Sequence, residues 1–216
     1  MKSIEARTPP NLGWLEVSLS SEEVDYLWGI IGNKGEDVRS TLAGNLSSSC
    51  ELIDEDNMFF NNVCIPCLKM YEQEFEDIDY IKSMTSVNNR HFPLYLSSFW
   101  VNNQKQTEFN PNHNHTGIFS FVIWMKIPTD WAEQSKLPFV EKSNNPAVVS
   151  NFVFHYQDIL GRSEGFTYTM NPSIEGNMVF FPSRLNHSVY PFYNCDEERI
   201  TISGNISLNA ITPPTQ

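Results

Sequence analysis

From about Leu94 onward, the sequence consists of short apolar runs that are rich in aromatic and β-branched residues. Such runs predict β-strands, and the Asn, Pro and Gly residues between them predict turns. We expect strands at residues 95–102, 118–127, 148–156, 166–170, 178–181 and 200–208. Many short strands in series are typical of a sandwich, a jelly roll or a barrel.

The first 94 residues follow a helical pattern instead. Residues 20–24 combine a hydroxyl cap with early carboxylates, which predicts the start of a helix. A second apolar pattern at helical spacing covers residues 59–75, and Pro66 interrupts it, so it is either two helices or one kinked helix. A third short helix is expected at residues 77–83. The predicted fold is mainly β with N-terminal helices (α+β).

The chain is expected to form one domain, residues 1–216, in which a mainly helical part (1–94) packs on a β core (95–211). Its 216 residues are 40% hydrophobic, which is enough for a sizeable core. The 26 acidic and 14 basic residues give a formal net charge of −12, which argues against extended nucleic acid or an anionic membrane as partner. Without a signal-like or spanning apolar run, we expect a cytoplasmic protein.

Two histidines, His113 and His115, are two residues apart in a polar segment. On an extended backbone both imidazoles point to the same face, where they can hold one metal ion. A polar loop with two solvated histidines is the alternative. His187 follows an apolar run and a bend at Pro182, and alone it is better explained as a structural histidine.

The segment from Arg199 to Leu208 alternates between polar and apolar residues. One interpretation is an amphipathic strand with its polar face in water. The other places the polar face inside the β core, where Arg199 would hold a carboxylate and the Thr201 hydroxyl would support it. The alternation alone does not choose between them.

Taken in order, these motifs resemble the Fe(II)- and 2-oxoglutarate-dependent oxygenases. The family pattern is His-x-Asp/Glu, a distal His, and Arg-x-Ser/Thr on the next strand, and the chain is most similar to a branch found in marine bacteria and their phages. The matching segments are Leu42-Ala43-Gly44-Asn45, His113-Asn114-His115, Ser120-Phe121-Val122-Ile123, Phe181-Pro182-Ser183, His187 and residues 199–205. A phage-encoded chain would work in the host cytoplasm.

The resemblance implies a double-stranded β-helix (jelly-roll, cupin-like) core. It implies Fe(II) as metal and 2-oxoglutarate as small-molecule cosubstrate, with hydroxylation of an unidentified substrate and release of succinate and CO₂. His113, His115 and His187 would be the metal ligands, and Arg199 with Thr201 would hold the far carboxylate. Asn102 and Ser120 are secondary candidates for the near end, and satisfying local backbone groups is their other possible role.

This chain departs from the family pattern because His115 replaces the usual carboxylate ligand. A non-catalytic jelly-roll protein and a three-histidine dioxygenase without 2-oxoglutarate therefore stay open as alternatives, as does a role for His115 beside the ligands rather than among them. Retention of Arg199 and Thr201 speaks against the second alternative. Cys64 and Cys67 form a CxxC motif without a second pair, which favours packing over a zinc or redox site.

Overall fold

The computed structural model describes residues 4–6, 12–75, 93–144 and 146–209. Its strands are β1 (Leu15–Ser18), β2 (Ser48–Glu51), β3 (Leu94–Gln104), β4 (Asn110–His113), β5 (Phe119–Lys126), β6 (Phe152–Gln157), β7 (Ser163–Tyr168), β8 (Asn177–Pro182), β9 (Asn186–Val189) and β10 (Arg199–Leu208). Its α-helices are α1 (Ser21–Ile31), α2 (Ile65–Phe75), α3 (Trp131–Gln134) and α4 (Pro138–Glu141). Within these ranges, no helix combines the length and apolar character needed to cross a bilayer.

The strands form two antiparallel sheets. One has six strands in the order β1-β8-β5-β10-β3-β2, and the other has four in the order β4-β9-β6-β7. Apolar residues of β5 and β8 pack against those of β6 to form a core between the sheets. The arrangement is a jelly roll with few helices, as the sequence predicts.

Four strands were predicted close to their observed positions, namely β3, β5, β8 and β10. The predicted strand at 148–156 was wrong at its start, because Val148 lies in a 3₁₀ turn and Ser150 has a positive φ of 64°. The strand predicted at 166–170 is shifted toward the N-terminus: β7 begins at Ser163, ends at Tyr168 and pairs with β6 along its whole length. The short strands β1, β2, β4 and β9 were not predicted, because four residues give too little alternation.

Helix α1 begins as predicted, since the Ser20 and Glu23 side chains form a reciprocal capping box. The second pattern is one helical segment that changes type: a π-helical turn at Phe60–Cys64 leads directly into α2. Pro66 explains the change, because it lacks an N–H and its ring crowds the carbonyl one turn earlier. The helix predicted at 77–83 lies outside the described residues.

The helices cover the outer face of the six-stranded sheet. Phe59 stacks on Phe99 with ring centroids 5.3 Å apart, and Tyr71 packs edge-on against Phe119 at 4.8 Å. These rings belong to a second core, which lies between the helices and the sheet. The inner face of the same sheet is thereby left for the cavity described below.

Strand β10 lies in the middle of the six-stranded sheet, between β5 and β3. Its apolar residues Ile202 and Ile206 are fully buried in the core beneath the helices. Its polar residues line the space between the sheets: Arg199, Thr201, Ser203 and Asn205. The polar face of this strand therefore faces the protein interior, which decides between the two interpretations of its alternation.

Candidate active site

A cavity of about 220 Å³ opens between the two sheets. Aromatic and aliphatic side chains form part of its wall, including Trp100, Trp124 and Phe152. The residues 41–44 and Leu46, from the N-terminal part of the chain, also contribute. No Asp or Glu lines the cavity within the described part of the chain.

Three histidines meet in this cavity. His113 of β4 and His187 of β9 lie directly opposite each other in the register of the four-stranded sheet. His115 follows two residues after His113, and its backbone N–H donates to the Ser183 carbonyl. One ring nitrogen from each histidine lies within 4.8 Å of the other two. The strand pairing thus brings together residues more than seventy positions apart.

Local acceptors orient the three imidazoles. The Nδ1 of His113 is 2.7 Å from the Pro111 carbonyl oxygen, and the Nδ1 of His187 is 3.0 Å from that of Leu185. A carbonyl oxygen only accepts, so each Nδ1 carries the hydrogen and each Nε2 presents a lone pair. The Nδ1 of His115 is 2.8 Å from Asn205 Oδ1. His187 also stacks on Phe152 at 5.4 Å, which fixes its ring plane.

Burial keeps all three imidazoles neutral. It lowers the pKa of His115 to about 4, with the neighbouring His113 adding to the effect. It also lowers the pKa of His113, and that of His187 well below its ordinary value. Neutral imidazoles are the form that binds a metal ion, so no proton has to be displaced at neutral pH.

The donor set fits a divalent transition metal. The Nε2 atoms of His113 and His115 are 3.2 Å apart. Two imidazole nitrogens on adjacent octahedral positions of one ion lie about 3 Å apart, given metal–nitrogen distances of about 2.1 Å. Lone pairs facing each other at this separation repel, and a cation between them removes the repulsion.

Arg199 is the second unusual group in the cavity. It is 1% exposed, yet no carboxylate pairs with it among the described residues. Its Nη2 donates to the carbonyl and the hydroxyl of Ser150, both at 2.7 Å, and its guanidinium lies 5.0 Å from the Phe192 ring centroid. Nε has no partner. Burial lowers the pKa of Arg199 to about 9, so the group remains a cation at neutral pH.

The structure places the other predicted residues in two groups. Thr201 and Asn102 line the cavity, and Asn102 is held by Ser49, whose hydroxyl donates to its Oδ1 at 2.7 Å. Ser120 was a secondary candidate for contact with the cosubstrate, but it does not line the cavity. It lies behind His115, where its hydroxyl is 3.1 Å from that ring and donates to Asn205.

Some residues of this region were not singled out from the sequence. The role of Ser150 was not predictable from the sequence, because it depends on a turn that brings this residue to Arg199, 49 positions away. Asn205 was noted only as part of a motif, and its contact with His115 spans 90 positions.

His155 lies apart from the cavity and bonds to Ser188 at 2.8 Å. Cys64 is fully buried beneath the helices, where burial raises its pKa well above the ordinary value.

A sequence model of the family described as "Putative 2OG-Fe(II) oxygenase" matches residues 98–205, half of the chain. The chain belongs to this family. It is therefore an oxidoreductase that uses Fe(II) and 2-oxoglutarate, and the matched segment contains all three cavity histidines, Arg199 and Thr201. No curated protein matches the chain in sequence.

The chain is also similar to several solved structures. A prolyl-4-hydroxylase from Pseudomonas putida has a TM-score of 0.51 and 14% identity, over 92% of this chain and 94% of the other. HygX from Streptomyces hygroscopicus, bound to nickel, 2-oxoglutarate and hygromycin B, has a TM-score of 0.49 and 7% identity, over 93% and 85%. A 2OG-Fe(II) oxygenase from Burkholderia pseudomallei has a TM-score of 0.47 and 13% identity, over 90% and 84%.

Proposed function

We propose that this chain hydroxylates an unidentified substrate and converts 2-oxoglutarate and O₂ to succinate and CO₂. One oxygen atom of O₂ enters the product and the other enters succinate. The observation that carries the proposal is Arg199, a fully buried cation that faces the cavity without an anionic partner among the described residues. One carboxylate of 2-oxoglutarate is an anion that would pair with such a group.

We assign His113, His115 and His187 as the iron ligands. Their Nε2 lone pairs are available, because the Nδ1 of each contacts an acceptor. Iron bound there supplies the oxidising chemistry, with electrons from the oxidative decarboxylation of 2-oxoglutarate. Three neutral ligands do not compensate the positive charge of the iron. In this assignment, the negative charge in the cavity comes from the dianionic cosubstrate.

Arg199 and Thr201 are assigned to the far carboxylate of 2-oxoglutarate. Two of the guanidinium N–H groups are committed to Ser150, which fixes the plane of the remaining donors. Nε is unpaired, and Nη1 has only a long contact of 3.5 Å to Gln104. Asn102 lines the same cavity with its Oδ1 occupied by Ser49, so its amide nitrogen is the group left to donate to the cosubstrate.

The size of the cavity limits how the primary substrate binds. A volume of about 220 Å³ is below the range of about 300–1,000 Å³ that is typical for drug-sized ligands. Once the cosubstrate is bound, only the reacting group of a larger substrate would fit inside. The rest of that substrate would lie against the exposed lining residues Thr41, Ala43, Asn114 and Thr116.

Anaerobic titration with Fe(II) and 2-oxoglutarate tests the proposal. We expect a weak visible charge-transfer band that needs both components and is absent from H113A and H187A. H155A is the matched control, since His155 lies outside the cavity, and it should give the wild-type band. Succinate formation in air then reports turnover without a known substrate.

The alternatives give different outcomes in the same experiment. Iron binding without a band at saturating 2-oxoglutarate would indicate a three-histidine metal protein that does not use this cosubstrate. A band without succinate formation in air, with any candidate substrate, would indicate a binding protein of the same fold.

A further inference from the structure

We propose that Asn205 is a positioning residue that makes His115 a metal ligand, by holding the ring hydrogen of His115 on Nδ1. This proposal rests on the assignment of His115 to the metal site above. It goes further because it states which residue allows a histidine to work at the position where the family pattern has a carboxylate.

His115 differs from the other two histidines in how its ring is oriented. His113 and His187 each contact the carbonyl oxygen of the residue two positions before them, at 2.7 and 3.0 Å. The nearest acceptor for His115 instead comes from β10, 90 positions away, as Asn205 Oδ1 at 2.8 Å. Ser120 Oγ is also 3.1 Å from this Nδ1, but its hydrogen is directed to Asn205. The orientation of this one ring therefore depends on a side chain of another strand.

The tautomer of His115 decides whether it can bind a metal. If the hydrogen were on Nε2, it would point at His113 Nε2, which is 3.2 Å away and carries a lone pair. The two rings would then hydrogen-bond to each other, and neither nitrogen would be available. With the hydrogen on Nδ1, both Nε2 lone pairs face the same point, as a metal site requires.

A network of serine hydroxyls holds the Asn205 amide in the orientation that accepts from His115. Its Nδ2 donates to Ser98 Oγ at 2.8 Å, and its Oδ1 accepts from Ser120 Oγ at 2.7 Å. Ser120 in turn lies 2.8 Å from Ser183 Oγ. This network gives Ser120 a role behind the metal site, in place of the contact with cosubstrate that its sequence position suggested.

The first test measures the tautomer directly. In the metal-free protein with ¹⁵N-labelled histidine, long-range ¹H–¹⁵N spectra should show a protonated Nδ1 and an unprotonated Nε2 for His115. A protonated Nε2 in the wild-type protein would overturn the proposal without any variant.

The second test compares three variants at the same metal site, with Co(II) as the probe. N205L removes the Asn205 acceptor at nearly constant size and frees the Ser120 hydroxyl to donate to His115 Nδ1. We expect it to shift His115 toward the Nε2 tautomer and weaken Co(II) binding by about 10–100-fold. N205D keeps an acceptor and should retain the wild-type tautomer and the wild-type Co(II) absorption. N33L is the matched control, because Asn33 is exposed, bonds to the Gly29 carbonyl after α1 and does not line the cavity.

Failure of this proposal is distinguishable from failure of the proposed function. Unchanged tautomer and Co(II) affinity in N205L would overturn the role of Asn205, while a wild-type charge-transfer band would leave the oxygenase assignment in place. Conversely, a wild-type protein with the predicted tautomer but no response to Fe(II) and 2-oxoglutarate would overturn the proposed function alone.

Discussion

Replacing Arg199 by methionine would remove the buried charge and keep a side chain of similar length. Three N–H groups lack a short hydrogen bond, because Nε is unpaired and Nη1 lies 3.5 Å from Gln104 Oε1. The N–H bonds of Nε and Nη1 point in different directions, so the far carboxylate of 2-oxoglutarate can take a charge-assisted hydrogen bond from one of these two nitrogens, worth about 1.5–3 kcal/mol. R199M should therefore weaken cosubstrate binding by roughly one to two orders of magnitude.

The same substitution should stabilise the protein when 2-oxoglutarate is absent. Burial lowers the pKa of Arg199 to about 9, from an ordinary value of 12.5, so the folded state disfavours the charged form. This cost is fully present at pH 7 and declines only as the pH rises through 9 toward 12.5. Because Ser150 and Phe192 offset part of it, we expect a gain of about 1–2 kcal/mol, or about 2–8 °C in Tm.

Calorimetric titration with 2-oxoglutarate and thermal denaturation with and without it measure the two effects. R162M is the matched control, since Arg162 is exposed and pairs with Asp158 away from the cavity. Wild-type affinity for 2-oxoglutarate in R199M would refute the assignment of this residue. A lower Tm of metal-free R199M would refute the claim that the charge is uncompensated.

Three further predictions concern stability and reactivity. Burial lowers the pKa of His115 to about 4 from 6.5, so the unfolded chain binds more protons than the folded chain between these pH values. The metal-free protein should therefore lose stability as the pH falls from 6.5 to 4, by about 1.4 kcal/mol per pH unit for this residue. Urea denaturation at several pH values should show that the free energy of unfolding of H115Q depends less steeply on pH. G204A should cost about 1–3 kcal/mol, because a Cβ would overlap the Phe121 ring, whereas G29A has open space and should gain about 0.5–1 kcal/mol in the same thermal denaturation assay. Cys64 and Cys67 are buried with raised pKa values, so a thiol reagent should modify them only after denaturation, and rapid labelling of either in the native protein would contradict this.

The parts of the site that lie on one strand or in one short segment were predictable from the sequence. The pair His113 and His115 is visible as a spacing of two, and Arg199 and Thr201 are visible in the alternation of β10. In both cases the period of an extended chain already assigns side chains to one face. What the period does not state is whether that face is wet or buried, and only the packing of helices on the opposite face of the sheet decides it.

The supporting residues were not predictable, because their roles arise from long-range pairing. Ser120 illustrates this, since its position on β5 was predicted but its side chain reaches Asn205 instead of the cavity. Ser150 lies in a turn with positive φ, where strand propensity gave the wrong structure. The short strands β4 and β9 carry two of the histidines, yet four residues are too few for a periodic signal.

The central position of β10 makes this strand a rigid part of the cavity wall. This strand is paired along both sides, so its backbone opens only when the whole sheet does. By contrast, the segment Thr41–Leu46 also lines the cavity but has little regular structure. We expect sequence changes in this segment to alter which acceptor is bound, while β10, the strand proposed to hold the cosubstrate, stays the same.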